Sequence, residues 1–473
     1  MGVACKAGIL VTLGLLLAIA GLVAYLIFPN ILQWQVKERL VLSPESETFE
    51  HWKDVPVPIF IHFYFFNLTN HEGVWSLTEK PQLAEVGPYV FRESRKKVNV
   101  TWNENNNTVS YAQVRTWHFE PDLTLGSLDD IITTLNVPAI AAAQKMKNKM
   151  FGLKTIDLLL SKANSTWFIH QPIRKLLFDG YEDIFLKAVK SILPTAQEKF
   201  GWFYEKNNTD DGIYTIFTGK DKIENLGRVD MWKGSGTAGA WEGTCDMING
   251  TAGDMWPPFR ESKDEKLTVY VSDICRSVSL SFLKETEIKG ITAFHYWADN
   301  TVLDNGMLDF DNKCFCSSNG TQCLPAGGLN ASTCSEGVPI VISYPHFLYA
   351  DSSYRQLVDG MKPDPEAHQF FIDLEPVSRV PTFSSSILFF QNITSRSFVP
   401  IFWFSQVATI DDETAKKLQL ITSDLPNYVT VGSFILVILG GIIVTFTFFF
   451  AIKIARKRKQ GKGKYDGVPM KDY

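Results

Sequence analysis

Two long apolar segments stand near the two ends of the chain. The first, residues 7–28, contains no charged side chain, and the second runs from Tyr428 to Ile452 and contains none either. Each is long enough to cross a bilayer core of roughly 30 Å as a helix of about 20 residues. Because neither holds an acid or a base, neither is typical of an ion or proton pathway. The pattern predicts one transmembrane helix at each end.

A cleaved signal peptide is the alternative interpretation of the first segment. Ala18-Ile19-Ala20 followed by Gly21 resembles a small-residue cleavage site. The apolar run continues eight residues past Ala20, however, which favours a retained anchor.

Short runs rich in β-branched and aromatic residues follow the first segment and predict strands. They are residues 55–66, 212–219, 267–271, 291–297, 338–344, 370–374, 386–390 and 398–404. Several are apolar on both faces, which is typical of a closed or covered sheet. A zone rich in Ala, Leu, Lys and Met interrupts them and predicts helices. Its helices are expected at residues 139–150, 155–163, 172–178 and 182–192. We therefore expect one α+β domain with a helical insertion over residues 139–192.

Nine N-x-S/T motifs place the region between the two apolar segments in a compartment where glycosylation occurs. The acceptor residues are Asn67, Asn99, Asn106, Asn164, Asn207, Asn249, Asn319, Asn330 and Asn392. None falls in either apolar segment or in either tail. This distribution predicts a glycosylated ectodomain over residues 29–427.

Charge orients the second segment. Eight basic and two acidic residues lie between Lys453 and the C-terminus, which is a cytoplasmic stop-transfer pattern. With a glycosylated middle region, both tails are expected in the cytosol. The chain then divides into a cytosolic tail (1–6), a transmembrane helix (7–28), the ectodomain, a second transmembrane helix (428–452) and a basic cytosolic tail (453–473).

Six of the seven cysteines lie in the predicted ectodomain, where an even number predicts disulfides. They are Cys245, Cys275, Cys314, Cys316, Cys323 and Cys334. Spacing alone leaves all 15 pairings open. The Cys314-Phe315-Cys316 spacing does not match a zinc site, and no histidine pair completes one. Cys5 lies beside the first apolar segment, where S-palmitoylation and an unmodified thiol are the two alternatives.

One basic segment stands out on an otherwise acidic region. Because the whole chain carries −5, the C-terminal tail +6 and Lys6 +1, the remainder carries −12. Residues 144–176 nevertheless carry +6, with candidate ligand-binding lysines at Lys145, Lys147, Lys149, Lys154 and Lys162. Such a segment attracts anionic ligands, although a solvated helical face is an equal alternative. An acidic domain outside the cell is not expected to bind nucleic acid.

The chemistry of an enzyme is not apparent in the sequence. No GxSxG, HExxH or P-loop motif occurs. The eight histidines are scattered without metal-ligand spacing, and adjacent carboxylates lie in polar, turn-like contexts. We expect no enzymatic activity, no cofactor and no metal.

A series of motifs, in order between the two apolar segments, resembles the class B scavenger receptors over nearly the full length. They are Gly87-Pro88-Tyr89, Phe91-Arg92-Glu93, Phe200 to Asn208, Cys245 to Thr251, Trp256-Pro257-Pro258-Phe259, Cys275-Arg276-Ser277, Pro345-His346-Phe347, Ala350-Asp351 and Glu366-Ala367-His368. One departure occurs at Leu177-Phe178-Asp179-Gly180-Tyr181, where the family pattern Leu-Trp-Gly-Tyr is one residue shorter.

The resemblance implies an antiparallel β-barrel with a membrane-distal helical bundle and an apolar tunnel. It also implies the disulfides Cys245–Cys314, Cys275–Cys334 and Cys316–Cys323. Residues 139–192 correspond to the ligand-binding bundle, and Lys162 matches an apical lysine that contacts acidic lipids.

The leading hypothesis is a plasma-membrane receptor that binds lipids or lipoprotein particles and transfers apolar cargo to the membrane. The expected partners are fatty acids, sterol esters, phospholipids and lipoproteins. The alternatives are a protein-binding sorting receptor of endosomes or lysosomes, and a co-receptor for lipid signals. Tyr465 and Val468 fit a Tyr-x-x-apolar internalisation signal read by an endocytic adaptor.

Overall fold

The computed structural model of the chain describes residues 3–146, 150–162, 166–192, 194, 197–258, 263–316, 323–335, 337–376, 381–394 and 397–462. These residues form two compact units. The first contains the terminal helices and residues 289–291, and the second contains residues 39–288 and 292–411.

The first unit is a pair of long apolar helices. Helix α1 spans Val3–Leu40, and α9 (Asp412–Gln419) leads through a π-helical turn into α10, Leu425–Lys462. Both stretches are long and apolar enough to cross a membrane, which agrees with a transmembrane helix at each end. They contact each other through glycines, because a Cβ atom on Gly440 would lie 2.4 Å from the carbonyl oxygen of Gly14. Small residues at such a crossing allow close backbone approach.

The second unit contains a curled antiparallel sheet. The described strands are β1 Ile59–Leu68, β2 Leu83–Asn103, β3 Thr108–Phe119, β4 Ile131–Leu135, β5 Phe168–Pro172, β6 Tyr181–Glu182, β7 Lys199–Phe200, β8 Ile213–Phe217, β9 Val229–Trp232, β10 Leu267–Val271, β11 Arg276–Ile288, β12 Ile291–Trp297, β13 Leu329–Asn330, β14 Val341–Ser343, β15 Phe371–Leu374, β16 Pro381–Thr394 and β17 Ser397–Ala408. The main sheet has the order β10-β11-β12-β15-β16-β17-β1-β2-β3-β8-β9. Each of the eight predicted runs overlaps a described strand, whereas β2, β3, β4, β5, β6, β7, β9, β11 and β13 were not predicted.

The edge strands β9 and β10 are joined through Thr251. This residue bridges Arg228 on one side and Val269 on the other. Its backbone N–H donates to Thr268 O at 3.0 Å, and its carbonyl accepts from Tyr270 N at 2.8 Å. The curled sheet therefore satisfies the backbone groups at this part of both edges, where unpaired groups are a liability.

Alternation along β1 fills the inner face of the curl with aromatic side chains. Ile61, Phe63 and Phe65 are buried, and Phe63 contacts the rings of Phe91 and Phe402 at 5.8 and 6.2 Å between centroids. Burial of this apolar area is the main source of stability in such a core.

A small helical cluster interrupts the sheet, as expected for residues 139–192. The remaining helices of the unit are α2 Glu47–Lys53, α3 His71–Trp75, α4 Val137–Met146, α5 Met150–Lys162, α6 Ile184–Ile192, α7 Ser352–Gln356 and α8 Pro365–His368. Helices α4, α5 and α6 share a core of Ala139, Ile156, Leu160 and Phe185.

The expected helix at residues 172–178 is confirmed with a shifted start, since residues 173–179 are helical. Pro172 ends strand β5, which pairs with β4, and residues 175–179 form a π-helical turn closed by Gly180 at φ +69°. A π turn accommodates one extra residue. It lies where the sequence is one residue longer than the Leu-Trp-Gly-Tyr pattern.

Three disulfides connect residues between Cys245 and Cys334, on both sides of strand β10 in the sequence. They join Cys245 to Cys314, Cys275 to Cys334 and Cys316 to Cys323. This is the pairing that the family resemblance implies.

Candidate functional site

The inner face of the curled sheet carries a row of charged residues, which we call the charged belt. Glu93, Arg95 and Lys97 occupy alternate positions of β2 and point to its buried side. Arg115 of β3 lies directly opposite Arg95 in the register. The belt is completed by three aspartates: Asp211 precedes β8, Asp254 precedes β10 and Asp273 follows β10.

Every cation of the belt has a carboxylate partner. Arg115 contacts Asp211 and makes a bidentate pair with Asp273, each at 3.1 to 3.2 Å. Arg95 Nε donates to Glu93 at 2.9 Å, and Lys97 Nζ lies 2.9 Å from Asp254. The Asp273 carboxylate raises the pKa of Arg115, and this guanidinium is therefore charged at every physiological pH. Such paired burial limits the cost of charge in a low-dielectric interior.

A cavity of about 160 Å³ lies against the belt. Its polar wall contains Arg95, Gln113, Arg115, Asp211 and Asp273, together with Tyr214, Tyr270 and Ser272. The opposite wall is apolar and includes Val278, Val302, Leu303, Ile342, Phe370 and Ile372. The Asp273 side chain keeps 55% exposure, which indicates that the polar end of the cavity opens to solvent. An interior with one polar end and one apolar wall is the arrangement that holds an amphiphile.

A second polar cluster is built from two stacked histidines. The rings of His346 and His368 lie 4.5 Å apart between centroids, and both residues are buried. His346 Nε2 lies 2.7 Å from Glu85, which also accepts a bond from Trp403 Nε1 at 2.7 Å. Burial raises the pKa of Glu85, but the bonds from His346 and Trp403 outweigh it and lower that pKa overall.

Backbone donors fix the tautomer of both rings. The N–H of Lys362 donates to His346 Nδ1 at 3.1 Å, and the N–H of Asp364 donates to His368 Nδ1 at 2.9 Å. Each Nδ1 therefore carries no proton, and the ring proton is on Nε2. Burial, with a smaller effect of His346, lowers the pKa of His368 to about 4.

The predicted lysines are brought together only in part. Lys145 near the end of α4 and Lys154 in α5 are exposed, in agreement with a solvated basic face. Lys147 and Lys149 lie outside the described residues. Lys162 is the last residue of α5, and the structure describes only its backbone. The described lysines of this basic segment in α4 and α5 are therefore exposed on the helical cluster, while a ligand role stays a prediction.

The other predicted sites vary in how they are placed. Asn99, Asn106, Asn207 and Asn249 are exposed, whereas Asn67 and Asn330 are half-buried. Asn164, Asn319, Tyr465 and Val468 lie outside the described residues, as does the side chain of Asn392. Cys5 is exposed and not in a disulfide. Glycosylation, palmitoylation and sorting therefore stay predictions.

Sequence reasoning missed the belt and the cavity. The one local signal was the alternation in β2, where three charged residues occupy every second position. Such a pattern normally indicates a solvent-facing side of a strand. Only the pairing of β2 with β3 and the approach of residues 211 and 273 show that these charges face inward.

Comparison with known proteins gives a consistent assignment. Residues 12–451 match the profile of the CD36 family. The chain is 32% identical to scavenger receptor class B member 1 of Bos taurus over 94% of its length and 89% of the relative's. It is 34% identical to lysosome membrane protein 2 of Rattus norvegicus, over 88% of this chain and 90% of that protein. These names describe a receptor and a membrane protein. The chain is therefore a member of the CD36 family, which includes the class B scavenger receptors, and is not an enzyme.

Proposed function

We propose that this chain is a membrane receptor that binds lipids or lipoprotein particles and transfers apolar cargo toward the bilayer. The observation that carries the proposal is the cavity inside the curled sheet, with its apolar wall and polar end. Removing an acyl chain from water is favourable by about 0.8 kcal/mol per CH₂. A covered interior is therefore suited to moving such a chain without exposing it. The relatives named scavenger receptor class B support the same role.

The helical cluster is the proposed docking surface for anionic particles. Its exposed Lys145 and Lys154 belong to the basic segment of an otherwise acidic region. In this proposal, the cluster is the membrane-distal bundle and a tunnel connects it with the cavity. Both tails are then cytosolic, and the ectodomain carries glycans.

The experiment that tests this proposal is lipid mass spectrometry on the glycosylated ectodomain, about residues 33–424, secreted from eukaryotic cells and purified without detergent. We expect lipid in stoichiometric amount, and its class identifies the cargo. Repeated absence of lipid from folded, disulfide-bonded protein would contradict a lipid-carrying interior.

A second candidate function is a protein-binding sorting receptor of endosomes or lysosomes. The observation in its favour is the 34% identity to lysosome membrane protein 2 of Homo sapiens, over 89% of both chains. The Tyr465 signal would serve either role. If an adaptor reads this signal, Tyr465→Ala raises the fraction of the protein at the cell surface, as measured by surface biotinylation. An unchanged surface fraction would remove the signal from the proposal.

A further inference from the structure

The cavity against the charged belt carries an unusual pattern of unsatisfied polar atoms. Within the described part of the chain, the hydroxyl of Tyr270, Oε1 of Gln113 and Oδ1 of Asp211 are buried and have no hydrogen-bond partner. All three residues line the cavity. A buried polar atom without a partner destabilises the protein relative to one that is hydrogen-bonded. Three such atoms in one lining leave hydrogen-bonding capacity that a polar ligand group can use.

The chemistry of these atoms determines which ligand group fits them. Gln113 Oε1 and Asp211 Oδ1 are acceptors and require a donor. The Tyr270 hydroxyl is both a donor and an acceptor. Burial, with a smaller effect of Asp211, raises the pKa of Tyr270, so the phenol keeps its proton for donation. A group that both donates and accepts, such as an alcohol, matches this set.

The charges of the belt disfavour an anion at the same place. The belt contains three cations, Arg95, Lys97 and Arg115, and four carboxylates, Glu93, Asp211, Asp254 and Asp273. Each cation is already within 3.1 Å of a carboxylate oxygen. A ligand carboxylate would therefore find no unpaired cation and would be repelled by Asp211 and Asp273.

We propose that this cavity recognises a neutral lipid alcohol in preference to a free fatty acid. The lipid hydroxyl donates to Asp211 or Gln113 and accepts from Tyr270. The adjoining hydrocarbon lies on Val302, Leu303, Ile342 and Phe370. The inference rests on the proposed lipid-carrying function and adds the class of head group that the interior selects.

The neighbouring residues explain why the site is rigid enough to select. Asp211 is held by Arg115 at 3.1 Å and accepts a bond from Ser272 Oγ at 2.5 Å. Tyr270 is 3% exposed, and its backbone N–H is bonded to Thr251 O. The acceptor and the phenol are therefore positioned before any ligand arrives, which reduces the entropy cost of binding.

The test uses the full-length glycosylated chain in cell membranes and three photoreactive probes with the same C18 chain. The probes are an alcohol, a carboxylic acid and a hydrocarbon, each with a diazirine in the chain and a terminal alkyne. After irradiation and digestion, labelling is quantified on the peptides that contain Leu303 and Phe370. Labelling of helices α1 and α10 in the same sample corrects for partition of each probe into the bilayer.

We expect the alcohol to label the cavity peptides at least about fivefold more than the acid, as one or two hydrogen bonds imply. Unlabelled oleyl alcohol should compete, and oleic acid should not. Equal or stronger labelling by the acid would overturn the head-group inference while leaving a lipid-carrying interior. If no probe labels the cavity although all label the helices, the proposed function itself fails for this cavity.

Two tyrosine variants isolate the hydroxyl. Tyr270→Phe removes the unpaired phenol and keeps the ring, and it should lower alcohol labelling several-fold without changing hydrocarbon labelling. Tyr296→Phe is the matched control, since its hydroxyl is also buried without a described partner but does not line the cavity. Folding of both variants is checked by disulfide formation and glycan maturation. Equal labelling in the two variants would contradict a role for Tyr270.

Discussion

At the scale of single residues, Asp304 shows how one buried carboxylate shapes a surface. Its oxygens accept the backbone N–H groups of Gly306, Met307, Leu308 and Asp309 at 2.9 to 3.1 Å. The side chain is fully buried, yet the loop that it holds exposes the apolar residues Met307, Leu308 and Phe310. The loop is therefore ordered by hydrogen bonds to its backbone rather than by burial of its side chains.

Removing this carboxylate should destabilise the fold. Asp304→Ala leaves four N–H groups without an acceptor, and we expect the free energy of unfolding to fall by about 3 kcal/mol. Urea denaturation followed by tryptophan fluorescence measures the change. Asp311→Ala, at an exposed position in the same loop, should change stability by no more than about 0.5 kcal/mol. Similar losses in both variants would show that Asp304 has no special role.

The histidine pair connects stability with pH. Because the pKa of His368 is about 4 in the fold and its ordinary value is 6.5, the unfolded chain binds a proton that the folded chain excludes. Its contribution to stability is therefore fully present above pH 6.5 and is lost as the pH falls from 6.5 to about 4. Protonation of Nδ1 also removes the acceptor for the N–H of Asp364.

We expect the melting temperature of the protein to decrease over this pH interval, with a loss on the order of 2 kcal/mol from His368. His368→Asn keeps a polar side chain but does not titrate, and it should flatten the decrease. His118→Asn changes an exposed histidine in the same way and serves as the control. A pH profile that is identical in all three proteins would exclude His368 as the source.

At the scale of elements, the two terminal helices approach each other closely where small residues face the partner helix, at Gly14 with Gly440 and at Gly21 with Ser433. A Cβ atom on Gly440 would lie 2.4 Å from Gly14 O and 2.7 Å from Ala18 N, whereas one on Gly441 would meet no atom within 4 Å. Gly14 and Ala18 are among the small residues whose four-residue spacing favours helix association. In the structure, Gly14 and Ala18 of α1 face Gly440 of α10 in the same chain.

The neighbouring glycines provide a matched pair of substitutions. Gly440→Leu should separate the two helices, because its side chain would overlap the backbone of α1, whereas Gly441→Leu should leave them in contact. Disulfide crosslinking between cysteines introduced in α1 and α10 of the full chain in membranes measures their proximity. Equal crosslinking in the two variants would show that the helices do not pack at Gly440.

Elements whose signal is local were predicted well, and those that depend on partners were not. Strand β10 has the predicted bounds, since Leu267–Val271 is apolar on both faces and bounded by polar residues. Strands β2 and β3 were missed because Arg95, Lys97 and Arg115 lie on their inner face, opposite to the usual pattern. The β4–β5 pair was missed because its strands, residues 131–135 and 168–172, are separated by two helices, and β5 lies in the zone of helical composition.

At the scale of the whole molecule, charge is separated between the basic helical cluster and an acidic remainder. Such a separation of charge produces an electrostatic attraction for anionic partners at the basic cluster. This attraction weakens as the salt concentration increases. The sequence indicated this separation, because formal charge requires no knowledge of contacts. The cavity could not be predicted in the same way, because its walls come from strands as distant in sequence as β2 and β17.

Reversing two exposed charges should weaken docking on anionic surfaces. Lys145→Glu with Lys154→Glu should reduce binding of the full chain to vesicles of phosphatidylcholine and phosphatidylserine by about tenfold or more at low salt, since each basic residue near such a surface contributes about 1 kcal/mol. Lys220→Glu with Lys222→Glu is the control, because these exposed lysines lie near the start of β3, outside the helical cluster. Unchanged flotation of the first variant with vesicles would contradict docking on the cluster.

The bridge at Thr251 has a consequence for the order of events during biosynthesis. Thr251 is the third residue of the motif that begins at Asn249, and it is 3% exposed between the two edge strands. The oligosaccharyltransferase reads the hydroxyl of that third residue in an extended segment. If Asn249 is glycosylated, the glycan must be added before Thr251 is buried between Arg228 and Val269. Under that condition, closure of the curl and glycosylation of Asn249 compete in time, and faster folding lowers the fraction of chains that carry this glycan.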